Sequence, residues 1–143
     1  MAATVIEEKL ESLRRCLARI RLKRPDSAEA LKADLDSQDI ISVNLTRAVQ
    51  LCVDIAAHVL TTTDLPPPDT MGESFERMAS AGMISEALAE RMKAAVGFRN
   101  IAVHSYRQID WDIVQAIVTE HLDDFESFAR QVAALAIANE KSD

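Results

Sequence analysis

Arg99, His104 and Tyr106 fall in one short segment, Gly97-Phe98-Arg99-Asn100-Ile101-Ala102-Val103-His104-Ser105-Tyr106. A guanidinium, an imidazole and a phenol with no carboxylate cluster beside them suit phosphodiester chemistry that needs no metal and no cofactor. One imidazole can take the proton from an RNA 2′-hydroxyl and a second can protonate the departing 5′-oxygen, because histidine titrates near neutrality. Arginine would hold the charge that grows on the phosphorane, and DNA, which lacks the nucleophile, would resist.

His104 lies five residues beyond Arg99, about 140° around an ideal helix. The two side chains therefore converge only if the helix ends or distorts there, or if another subunit supplies one of them. The segment offers one well-placed histidine, so a two-fold homodimer is expected to bring two copies of Arg99 and His104 across one groove. Gly97 costs about 1 kcal/mol in a helix relative to alanine, which suggests close approach by another backbone or a ligand.

The elements that must carry these groups are helices. Ile6, Leu10, Leu13, Leu17 and Ile20 recur at spacings of three and four, predicting a helix from about Thr4 to Arg24 that Pro25 closes. Asp26 and Ser27 can cap a short helical segment, and a second long helix runs from about Asp39 to Leu60. Thr61-Thr62-Thr63 and Pro66-Pro67-Pro68 form the main loop. Thr70 and Glu73 have capping-box spacing for a short helix that Gly82 ends, and Ser85 caps the next. Asp110 caps a final helix in which Trp111, Val114, Val118, His121, Phe125, Phe128, Val132 and Leu135 form one unbroken row to near Ala138. With no alternating strand, the expectation is an all-α, four- to five-helix up-and-down bundle, a single domain over 1–143.

Polar residues on apolar stripes are the informative exceptions. Asn44, Arg47, Asp54 and His58 line one side of the second long helix, either as a polar network between helices or as the wall of a cleft. Arg99 shares a face with Met92 and Val96, and Asp54 is its candidate counter-ion, since an unpaired buried charge costs several kcal/mol. His121, set in the apolar row of the last helix, reads as hydrogen-bonded packing, and His58 similarly.

The 16 Lys and Arg against 23 Asp and Glu give a net charge of -7, the wrong sign for coating nucleic acid by charge alone. Any such site must be local. Residues 1–24 hold seven basic and three acidic groups, and the default account of that basic strip is a solvated helix face. Cys16 and Cys52 are too few for a disulfide framework and too isolated for a zinc site, so both read as reduced core thiols. No stretch looks like a membrane span, and a cytoplasmic protein is expected.

Arg99-Asn100-Ile101-Ala102-Val103-His104-Ser105-Tyr106 resembles the Arg-x-x-x-x-His-x-Tyr motif of HepT-like toxins, all-helical ribonucleases of the HEPN superfamily. The flanking Gly97-Phe98, the Ile109-Asp110 start of the last helix, and Asn44, Leu45, Arg47, Ala48, Asp54, Ile55 and His58 on the second helix extend the likeness over nearly the whole chain. The resemblance implies Arg99 and His104 as the ribonuclease residues. It further implies Tyr106 as the hydroxyl that a cognate minimal nucleotidyltransferase (MNT) antitoxin modifies with AMP, and Asn100, Asn44, Arg47 and Asp54 as supports of the cleft. RNA would be the substrate. The alternative is a non-catalytic partner or substrate-presenting subunit of a nucleotidyltransferase, which the acidic charge and few aromatics also suit.

Overall fold

The computed structural model describes the backbone of residues 2–142 and the side chains of residues 4–135, so Met1 and Asp143 lie outside the described residues. The described chain is all helical, in seven α-helices rather than the four to five expected. These are α1 (Ala2–Lys23), α2 (Ala28–Lys32), α3 (Leu35–Leu60), α4 (Met71–Ser80), α5 (Glu86–His104), α6 (Trp111–Glu120) and α7 (Leu122–Ser142). A single 3-10 turn, Tyr106–Gln108, joins α5 to α6.

α3 is the hub. It packs along α1 and also touches α2, α4, α5 and α7. Ile41, Leu45, Ala48, Cys52, Ile55 and Ala56 on α3 are fully or almost fully buried, which follows from a helix apolar on most of its circumference. By length and mean hydropathy, 1.4, α3 could cross a membrane, contrary to the expectation that no stretch resembles a span. Burial of 56% of that apolar window against its neighbours explains the composition instead.

The boundaries follow local chemistry. Asp34, not a residue near Asp39, caps α3 by accepting from the Ser37 N–H at 3.2 Å. At the other end Thr61, Thr62 and Thr63 donate their hydroxyls to the carbonyls of His58, Val59 and Leu60 at 2.6, 2.7 and 2.8 Å. The backbone N–H groups of the same threonines reach these carbonyls at 3.2, 3.2 and 3.1 Å, so the threonine segment closes the end of α3 ahead of the prolines. Thr70, Ser85 and Asp110 cap α4, α5 and α6 as their spacing predicts. Gly82 leaves α4 at φ 73, a conformation that disfavours a side chain.

The expected single final helix is two. His121, at φ -119 and ψ 6, ends α6, with its N–H on the Ile117 carbonyl and its own carbonyl taking the Asp124 N–H. A one-residue interruption leaves the three-and-four spacing intact, which hides the break from periodicity. Asp123 and Asp124 in the first turn of α7 are the helix-start signal that marks it.

Phe75 and Phe128 meet edge to face, centroids 5.7 Å apart, where α4 and α7 close the core. Both rings are fully buried. Phe128→Ala should lower the unfolding free energy by about 3–5 kcal/mol in denaturant titration, whereas Leu22→Ala, at an exposed site, should change it by less than about 0.5 kcal/mol.

Candidate active site

α5 carries Arg99 and Asn100 on its penultimate turn and ends with His104. Ser105 leaves the helix at φ -145, its N–H still bonded to the Ile101 carbonyl at 2.8 Å. The 3-10 turn follows, and Ile109 buries itself before Asp110 starts α6. That anchor sets the direction of the turn and so presents Tyr106 beside the helix end.

Arg99 is half-buried, and among the described residues no carboxylate lies within 4.0 Å of it. Its one hydrogen bond runs from Nη1 to the Asn100 Oδ1 at 3.2 Å. Nε is shut off from water and has no acceptor. The expected pairing with Asp54 is not formed. Asp54 instead faces Lys9 at 3.7 Å and accepts from Gln50 at 3.0 Å, because its side of α3 is turned to α1. Asn44, Arg47 and Asp54 together line a groove between α1 and α3, so the structure groups them with one another and not with Arg99.

His104 is exposed. α5 stays α-helical from Arg99 through His104, so the two side chains leave the helix on different sides within one chain. Tyr106, 44% exposed, donates its hydroxyl to the Asp39 Oδ1 at 3.0 Å and sets its ring edge-on to Trp111 at 6.1 Å. Partial burial and the hydrogen bond to Asp39 hold the phenol above its ordinary pKa. Spacing gave no sign of Asp39, a contact spanning 67 positions of the chain.

An apolar cavity of about 610 Å³, which Arg99 does not line, opens between α5 and α6. Phe98, Ile101, Ile109, Ile113 and Ile117 line it, with Arg91, His121 and Asp124 at its edge. A Cβ on Gly97 would meet nothing within 4 Å, so the close approach expected there is not made within this chain. His121 is not core packing. It is exposed, with Nδ1 3.4 Å from Asp124, which Arg91 also holds at 2.7 Å. His58, at the last turn of α3, is half-buried. Cys16 and Cys52 are free and buried.

The model of the family described as "Ribonuclease HepT-like" matches residues 6–132, which include every residue of this site. The chain belongs to the HepT-like ribonuclease family. Among its relatives is the mRNA nuclease HepT of Shewanella oneidensis, 36% identical over 91% of this chain and 97% of that protein. The tRNA nuclease HepT of Aphanizomenon flos-aquae is 25% identical over 96% and 93%. A solved structure of the tri-AMPylated Shewanella oneidensis HEPN toxin in complex with MNT antitoxin superposes with a TM-score of 0.85 at 36% identity, covering 91% and 97%. The family's fold is thus the one into which this chain sets Arg99, His104 and Tyr106.

Tyr106 is the only tyrosine, so its titration can be followed without ambiguity. Asp39→Ala should bring the phenol pKa down toward its ordinary value of about 10, read from tyrosinate absorbance. Because folding favours the neutral phenol, wild-type stability should fall as pH rises through that range, and less so in the variant. An unchanged titration curve would show that the Asp39 contact is not formed in solution.

Proposed function

We propose that this chain is the ribonuclease toxin of a HepT/MNT-type toxin–antitoxin pair. It acts as a metal-independent homodimer, and a cognate MNT nucleotidyltransferase silences it by AMP transfer to Tyr106. The observation that carries the proposal is Arg99, a guanidinium with a hidden, unpartnered Nε and no carboxylate, on the helix that ends at exposed His104. A buried donor without an acceptor costs about 1–3 kcal/mol, and a phosphate oxygen is the acceptor a guanidinium fits best.

In the dimer one His104 removes the proton from the RNA 2′-hydroxyl as that oxygen attacks phosphorus. The partner's copy of the same histidine protonates the 5′-oxygen as the P–O bond breaks, leaving a 2′,3′-cyclic phosphate and a 5′-hydroxyl. Arg99 neutralises the intervening phosphorane. Exposed Ile101, Val103 and Ile113 supply the apolar surface that a second copy would cover.

AMP transfer joins the Tyr106 oxygen to the α-phosphorus of ATP and releases pyrophosphate. Asp39, 3.0 Å away, is an acceptor already in place for the phenol proton. The ester oxygen has no proton left to donate, and its phosphate is repelled by the Asp39 carboxylate. The modified side chain therefore has to leave Asp39, bringing negative charge beside His104 and opposing the approach of RNA.

His104→Ala should abolish RNA cleavage measured in EDTA while the protein still sediments at twice the chain mass. A variant that cleaves like wild type would remove the enzyme reading and leave the non-catalytic partner of a nucleotidyltransferase. Incubation with ATP and the cognate nucleotidyltransferase should add mass in multiples of AMP to the wild type, with matching loss of cleavage, and none to Tyr106→Phe. Equal labelling of the phenylalanine variant would place the modification elsewhere.

A further inference from the structure

The groove between α1 and α3, about 550 Å³, gathers three arginines on a chain of net charge -7. Arg15 and Arg19 stand one turn apart on α1, and Arg47 faces them from α3. Of the other basic groups on α1 and at its end, all but Lys23 are engaged. Lys9 is on Asp54, Arg14 on Glu11, Arg21 on Asp123 and Glu126, and Arg24 on the Val118 carbonyl. Arg15 reaches Glu11 only at 3.9 Å, and among the described residues Arg19 and Arg47 have no carboxylate within 4.0 Å. Asn44, 8% exposed, lines the groove beside them. Burial pushes the Cys16 thiol up while the Arg47 charge pulls it down, so that charge is felt at the groove wall.

α3 links the groove to the site. Asp39, which holds Tyr106, lies two turns before Arg47 on α3, roughly 12 Å along the axis and about 80° around it. Exposed Val43 sits between them on the same side. Neighbouring arginines one helical turn apart, about 6 Å between Cβ atoms, match successive charges on an extended nucleotide backbone.

We infer that Arg15, Arg19 and Arg47 form a phosphate track that holds single-stranded RNA leading to the Arg99–His104 end of the molecule. The track rests on the ribonuclease reading and adds to it the surface that lets an acidic protein hold RNA. Because it reads phosphates and not bases, its contribution is independent of sequence and sensitive to salt.

The test is equilibrium binding of a fluorescent single-stranded RNA of about 20 nucleotides, longer than a typical single-strand site, to full-length His104→Ala, which leaves the RNA intact. Adding Arg19→Glu with Arg47→Glu should raise Kd at least about ten-fold and reduce the slope of log K against log salt by about 1.4, about 0.7 for each phosphate that the protein no longer neutralises. Lys23→Glu with Arg130→Glu, an equal charge change at exposed positions outside the groove, should shift both far less. Arg19→Gln with Arg47→Gln adds no repulsion and should weaken binding in the same direction by a smaller factor. It is the pair to read if charge reversal unfolds the chain. Equal weakening by groove and control pairs, or no change in either groove pair, would overturn the track. If wild type cleaves RNA while the groove pairs bind normally, the track alone fails; if wild type neither binds nor cleaves RNA, the ribonuclease reading fails with it.

Discussion

An arginine with nowhere inside the protein to spend its charge is the constraint on which this structure turns. The chain carries 23 acidic residues, yet among the described residues none lies within 4.0 Å of Arg99, and only the Asn100 amide oxygen accepts from it. Asp54, the carboxylate whose spacing on α3 best suggests a partner, is turned toward α1 and held by Lys9 and Gln50. A residue kept half-buried against Met92 and Val96 with an unmet Nε is a local sacrifice of stability, and such sacrifices are tolerated where a site needs them. The rest of α5 compensates through ordinary packing, with Leu88, Ala89, Met92, Val96 and Phe98 all buried.

α3 connects the other parts. Its apolar circumference builds the core, and the narrow side left open carries Asp39, Val43, Arg47 and Asp54 in succession. One end of that side fixes the Tyr106 hydroxyl and the other faces the arginines of α1. A helix buried on most sides is held straight by its neighbours, so the spacing between the tyrosine contact and the arginine groove is set by helical rise alone. Three threonine hydroxyls on its last carbonyls and Asp34 on its first turn keep both ends from fraying.

How much of this can be read from sequence depends on the range of the interaction. Helices are periodic over three or four residues, and caps act within one turn, so Thr70, Ser85, Asp110 and Gly82 mark their boundaries directly. The Arg99–His104–Tyr106 segment is equally local. Contacts between distant positions leave no such trace: Tyr106 on Asp39 and Lys9 on Asp54 depend on how α3 is rotated against α1 and α5. The break at His121 is local but silent, since one interposed residue keeps the apolar row in phase, and only the acids opening α7 betray it. His121 then changes from an expected core residue to an exposed one beside Asp124.

The net charge of -7 weighs against nucleic acid only if charge is averaged over the surface, and here it is not. Acidic side chains neutralise Lys9, Arg14, Arg21, Lys32, Arg91 and Lys93 pairwise, each pair tying neighbouring turns or helices together. Arg19, Arg47 and Arg99 are among the cations that no carboxylate reaches, together with Lys23, Arg24, Arg77, Arg107 and Arg130 among the described residues. A field is governed by its unpaired charges at short range, because screening removes the remainder within about 10 Å. An acidic protein can therefore present a cationic path, and a phosphate added at Tyr106 would act at the end of that path nearest His104.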